Sequence, residues 1–123
     1  NRQALDLTCM HSIENFFKEH GSFDVVVHTA IKGGSRLNSD DWSVLDTNLS
    51  MYYNLCSKER YFNRLINIGS GAEIYHPDTP YGLSKKAIAK SIESKSNKYI
   101  NLRIFGVFDK AFVMYAFLYS IIC

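Results

Sequence analysis

The sequence predicts an α/β fold, a parallel sheet with flanking helices. Two observations carry that prediction. Short β-branched runs alternate with segments of helical periodicity, and the polar residues with chemical potential gather just after the strand-like runs. Strands separated by helices of this length are joined by right-handed crossovers, and such sheets collect ligands beyond the carboxyl ends of their strands.

The elements follow in order. Ile13, Phe16 and Phe17 recur at helical spacing between Ser12 and His20, and Gly21 stops the helix. Phe23 to Ala30 reads FDVVVHTA, a continuous run expected as a strand covered on both faces. Lys32-Gly33-Gly34-Ser35-Arg36 is a loop, with Ser39 or Asp40 available to cap the next helix. From Asp41 to Ser57, Trp42, Leu45, Leu49, Tyr52, Tyr53 and Cys56 share an arc of about 100°, with Asn48 at its edge. A second strand is expected at Arg64 to Gly69, then a turn-rich loop from Gly71 to Pro80. A third helix from Tyr81 to Lys95 and a third strand from Tyr99 to Phe108 complete the pattern.

Composition narrows the function classes. The chain has 123 residues, enough for one domain with a core, and is 46% hydrophobic and 21% charged, which excludes a disordered chain. A net charge of +2, with no basic run interleaved with aromatics, argues against nucleic acid as a partner. Cys9, Cys56 and Cys123 have neither a disulfide framework nor metal-ligand spacing, so no metal is expected and a reducing cytoplasm is the default. No signal-peptide pattern opens the chain. Residues 111–123 read AFVMYAFLYSIIC, too short to span a bilayer, which needs about 20 residues. This tail is expected as a buried helix or strand, with a membrane anchor as the minor alternative.

The chemistry centres on Tyr81 and Lys85. A phenol with an ordinary pKa near ~10 is a poor base at neutral pH, and a neighbouring ammonium favours its phenolate. Positions i and i+4 lie one turn apart on one helix face, and Ile88 and Ile92 extend that face while Lys86, Lys90 and Glu93 point away. In isolation the pair also suits a surface helix whose Tyr covers a Lys stem. Here the pair falls on the apolar, sheet-facing side, directly after the Gly69-Ser70-Gly71 strand exit. A polar pair there is costly unless partnered, which favours catalysis. Ser70 stands where its hydroxyl could bind a substrate oxygen opposite Tyr81, or serve only as a small residue in a tight turn. Asn48 could orient a water or the Lys85 ammonium, or be a satisfied amide at the stripe edge.

These residues carry a resemblance. Asp6-Leu7-Thr8, Asp24 to Ala30, Thr47-Asn48-Leu49, Ile68 to Glu73, Tyr81-Gly82-Leu83-Ser84-Lys85 and Asn101 to Gly106 match, in order and spacing, segments of a known family. From about Leu5 to Asp109 the chain resembles the extended short-chain dehydrogenase/reductases, the NAD-dependent nucleotide-sugar epimerases, dehydratases and reductases. Lys32-Gly33-Gly34 and Gly69-Ser70 are similar to GDP-fucose synthase-like members. Ser70 lies one residue farther from Tyr75 than that pattern has it; a register set by Tyr75 would put Gly71 at the serine position, and Ser70 is preferred because it directly follows the strand.

The resemblance implies a partial Rossmann-type sheet and an NAD or NADP cofactor. It makes Ser70, Tyr81 and Lys85 the catalytic set, with Lys85 also holding the nicotinamide ribose. Asp6, Thr29, Ala30, Lys32 and Asn48 become cofactor contacts, Asp6 at the adenine. It further implies a nucleotide-sugar substrate and a homodimer packed through the Tyr81 helix, where Leu83 and Ala87 form a small apolar patch. The sequence contains no G-x-G-x-x-G turn, so residues 1–110 are expected as the central part of the cofactor domain, without its first βαβ unit and without a C-terminal substrate domain. The alternatives are a non-catalytic α/β interaction module and a reductase of a non-sugar ketone.

Overall fold

The computed structural model describes residues 5–35 and 37–105 and the backbone of 120–122. Strands β1 (Phe23–His28), β2 (Phe62–Ser70), β3 (Tyr99–Ile104) and β4 (Ser120–Ile122) form one sheet in that order. The first three are mutually parallel, and β4 runs antiparallel to β3. Helix α1 (Met10–His20) precedes β1, and α2 (Ser43–Cys56) connects β1 to β2. The short α3 (Ala72–Tyr75) and the longer α4 (Pro80–Glu93) connect β2 to β3. The predicted α/β architecture with a parallel sheet is therefore present.

Local chemistry explains where the elements begin and end. Gly21 closes α1 at φ 77, its N–H donating to the Phe17 carbonyl at 2.9 Å. Helix α4 opens with Thr79, whose hydroxyl accepts from the Gly82 N–H at 3.1 Å, and with Pro80 in its first turn, where no N–H is needed. Helix α2 departs from expectation. It starts at Ser43, and neither Ser39 nor Asp40 caps it: its cap position is Trp42, without a side-chain bond. Asp41 instead accepts from the Ser43 N–H at 2.7 Å, and Asp40 is committed to the preceding loop, accepting from the Gly34 N–H at 2.9 Å.

Ile13 and Phe17 of α1, Tyr52 and Leu55 of α2, and Ile88 and Ile92 of α4 meet over Leu65 and Tyr99 of the sheet. This corrects the expectation that β1 is covered on both faces. Val25 is 47% and Val27 53% exposed, while His28, on the opposite side of the same strand, is 4% exposed. Side chains alternate along a strand, so helices gathered over one face leave the other valines open among the described residues. The apolar run signalled a strand correctly but could not say which of its faces is covered.

Other boundaries shift. β2 starts two residues earlier than expected and ends on Ser70, and the loop from Gly71 to Pro80 contains α3. β3 ends at Ile104, and the expected extension to Phe108 lies outside the described residues. So does the tail from Ala111, apart from Ser120–Ile122, which form β4. No helix among the described residues is long and apolar enough to cross a membrane.

Candidate active site

The carboxyl ends of β1 and β2 and the first turns of α4 converge on one edge of the sheet. Lys85 is 6% exposed, and its Nζ donates to the Ile68 carbonyl of β2 at 2.6 Å. The same Nζ lies 5.8 Å from the centroid of the half-buried Tyr81 ring. Burial pushes the Lys85 ammonium down to a pKa of about 8, against the opposing pull of the Glu73 carboxylate. Lys86 is exposed, as its place on the wheel requires.

That shift has a measurable consequence. The unfolded chain keeps Lys85 near its ordinary value of 10.5, so between about 8 and 10.5 the unfolded state binds more protons than the folded one. Stability from this residue therefore rises as pH rises through that window. At pH 7 burying the ammonium costs about 3 kcal/mol, of which the bond to Ile68 returns about 1. Lys85→Met is expected to be about 2 kcal/mol more stable than the parent at pH 7. In urea titrations the gap should close toward pH 10.5, and a variant no more stable at pH 7 would contradict the buried charge.

Asn48 is 1% exposed and holds two elements together. Its Oδ1 accepts from the Lys32 N–H at 2.8 Å, and its Nδ2 donates to the Lys32 carbonyl at 3.0 Å and to Ser84 Oγ at 3.1 Å. Ser84 in turn donates to the Tyr81 carbonyl at 2.7 Å. The Asn48 amide thus ties the loop after β1 to Ser84 on α4, and among the described residues it makes no bond to the Lys85 ammonium.

The same loop meets Tyr81 directly. Gly34 adopts φ +79, and a Cβ there would stand 2.6 Å from Tyr81 Cε2, so only glycine lets the backbone lie against the ring. Ser70, at the end of β2, is half-buried and its Oγ accepts from the Ala72 N–H at 3.2 Å. Gly71 has no space for a side chain, since a Cβ would meet the Phe105 ring at 2.7 Å.

Asp6, Thr29, Ala30 and Lys32 line one groove of about 790 Å³ beside β1. Asp6 accepts from the Thr8 N–H and hydroxyl at 2.9 and 2.7 Å, which shapes the turn into α1. Lys32 is exposed, its Nζ 2.7 Å from Ser43 Oγ. His28 also lines the groove, and its Nδ1 has no hydrogen-bond partner among the described residues. Burial first, and the Lys85 charge second, lower the His28 pKa to about 4, so the ring is neutral at neutral pH. Asn48 and Lys85 do not line this groove; they stand behind the loop and at the strand exit.

Sequence reasoning missed Glu73 and Arg103. Glu73 is 6% exposed, and the two side chains pair through Arg103 Nε to Oε1 at 2.9 Å and Nη2 to Oε2 at 3.1 Å. A carboxylate between Ala72 and Ile74 just past the strand exit was the available signal. Its partner lies 30 residues away, where no local pattern points.

Three parallel strands in one sheet with flanking helices, the last of them carrying Tyr81 and Lys85 after the Gly69-Ser70 strand exit, make a partial α/β fold of the Rossmann type. The chain belongs to the NAD dependent epimerase/dehydratase family, whose model matches residues 1–111. Its fold is similar to that of a GDP-mannoheptose C4 reductase from Campylobacter jejuni with NADP bound, at 22% identity and a TM-score of 0.71, covering 88% of this chain and 42% of that one. It is also similar to a GDP-6-OMe-4-keto-L-xylo-heptose reductase from C. jejuni, at 22% identity and TM-score 0.67, covering 85% of this chain and 36% of that one. The Bordetella bronchiseptica enzyme WbmG in complex with NAD and UDP matches at 21% identity and TM-score 0.60, over 81% of this chain and 36% of that one. The chain thus spans well under half the length of these structures. No curated protein sequence matches it.

Proposed function

We propose that this chain is the central part of an NAD(P)-dependent nucleotide-sugar epimerase, dehydratase or reductase that works through Ser70, Tyr81 and Lys85. The observation that carries the reading is the buried Lys85 ammonium one helical turn from Tyr81, its Nζ 5.8 Å from the ring centroid, beside the carboxyl end of β2. In this reading Tyr81 would take or return a proton at a substrate hydroxyl or keto oxygen, with the Lys85 ammonium one helical turn away. Ser70 would donate its hydroxyl to that same oxygen. The nicotinamide, when bound, supplies or receives the hydride.

Asp6, Thr29, Ala30 and Lys32 would hold the cofactor along the groove of about 790 Å³, a volume within the range of small-molecule sites. Asn48 would act from behind by fixing Lys32, and Lys85 by turning from the Ile68 carbonyl toward the ribose. The nucleotide-sugar assignment draws support from the family and from the GDP-sugar reductases among the similar structures. Half-buried Leu83 and Ala87 fit pairing of two copies through α4. Free Cys9 and Cys56 fit a reducing cytoplasm.

The test is turnover of GDP- and UDP-linked keto sugars by the complete enzyme with NADH or NADPH, followed by nicotinamide absorbance. Ser70→Ala is expected to lower kcat about tenfold while nicotinamide fluorescence titrations stay unchanged. Absence of turnover with every such sugar would overturn the reading, and an unchanged kcat in Ser70→Ala would remove that residue from it.

A further inference from the structure

We propose that Glu73 is a positioning residue of this site: with Arg103 holding its carboxylate, it fixes the same Ile68–Ser70 strand exit on which the Lys85 ammonium rests. The inference rests on the proposed Ser70, Tyr81 and Lys85 chemistry and extends it to two residues outside that set.

The geometry is specific. Glu73 is the second residue of α3, which begins immediately after the Gly69-Ser70-Gly71 exit. Its side chain turns back into the protein, where Arg103 grips both carboxylate oxygens at 2.9 and 3.1 Å. Oε1 also accepts from the Ser70 N–H at 3.3 Å. That oxygen and Asn101 Oδ1 fill the space beside Gly69, at 2.9 and 2.8 Å from where a Cβ would be. One carboxylate oxygen thus bonds the amide of the serine whose hydroxyl the reaction would use and lies against the glycine before it. Asn101 is itself anchored, accepting from Asn67 Nδ2 at 2.8 Å.

A buried ion pair is seldom a net source of stability, because desolvating two charges costs about as much as their attraction returns. A role in the site accounts for its presence better. Among the described residues, the charged and titratable groups that act on Lys85 or stand against it are Glu73 from α3, His28 from β1 and Tyr81 from its own helix, with Arg103 of β3 behind Glu73. His28 is neutral near pH 7. Glu73 is therefore the anion that offsets the burial of the ammonium, and Arg103 limits how far its charge reaches.

This arrangement predicts opposite effects for the two partners. Glu73→Gln keeps an acceptor for the Ser70 N–H but removes the negative charge, so Lys85 loses its proton more readily. Arg103→Met leaves the carboxylate uncompensated, so Lys85 holds its proton at least as firmly. A role limited to packing would disturb Lys85 in the same direction in both variants.

The experiment is direct titration of Lys85 by NMR in the 123-residue chain, labelled with 13C,15N-lysine and assigned by the signal missing from Lys85→Met. Glu73→Gln is expected to lower the Lys85 midpoint by about one pH unit, a tenfold loss of ammonium above it, with no fall in Arg103→Met. Should Glu73→Gln fail to fold, Glu73→Gln/Arg103→Met, which removes both charges, takes its place with a fall of about half a unit expected. An unchanged midpoint on loss of Glu73, or equal falls in Glu73→Gln and Arg103→Met, overturns the proposal. The readout needs no substrate or cofactor, so it fails independently of the enzymatic reading, which stands or falls on turnover.

Discussion

Gly82→Ala is expected to destabilise the fold by about 3 kcal/mol, although alanine is the better helix former. Gly82 is buried in the first turn of α4, and an added Cβ would overlap the His76 carbonyl oxygen while standing 2.7 Å from the His76 carbonyl carbon and 2.9 Å from the Ala72 oxygen. All three are backbone atoms, so no side-chain rotation relieves the contact. Alanine's propensity advantage of about 1 kcal/mol is too small to offset displacement of a packed backbone. Either α3 moves away from α4 or the start of α4 unwinds, and in both cases Ser70 and Tyr81 lose their common frame. Urea denaturation measures the loss, and a Gly82→Ala chain as stable as its parent would show that α3 does not sit against α4 as described.

The same contact shows what a sequence hides. The alternation of β-branched runs with helical stripes located β1, β2, β3, α2 and α4, because each is written in residues a few positions apart. The Tyr81/Lys85 face was legible for the same reason, since both residues belong to one helix whose wheel is fixed by Ile88 and Ile92. The one-turn α3 was not, because AEIY carries no full period, and it is held by its packing on Gly82.

Long-range polar pairing was equally hidden. Asn48 lay at the rim of an apolar stripe, and nothing local said that its amide would bracket Lys32 and reach Ser84, 36 residues on. The Glu73–Arg103 pair is a product of the register that sets Gly69 beside Arg103 in the sheet. The covered face of β1 depended on which side the helices chose, a decision that alternation along FDVVVH does not contain.

Tyr81→Phe is the sharpest separation of fold from chemistry that the site allows. It removes a single oxygen and keeps the ring that lies under Gly34 and 5.8 Å from Lys85 Nζ, so stability is expected to stay within about 0.5 kcal/mol of the parent. In the proposed complete enzyme, kcat is expected to fall about a thousandfold, or about 4 kcal/mol of barrier, because the hydroxyl proposed to carry the proton is gone. Cofactor binding should persist, since the groove formed by Asp6, Thr29, Ala30 and Lys32 is untouched. Lys85→Met should also lose turnover, and joining it to Tyr81→Phe should cost less than the two single losses together, because the part of the Lys85 effect that acts through the phenol has nothing to act on once the phenol is gone and only its hold on the ribose is left to lose. Additive losses in the double variant would mean that Lys85 works on the substrate or cofactor independently of Tyr81. Retained turnover in Tyr81→Phe would assign the proton transfer to a different residue.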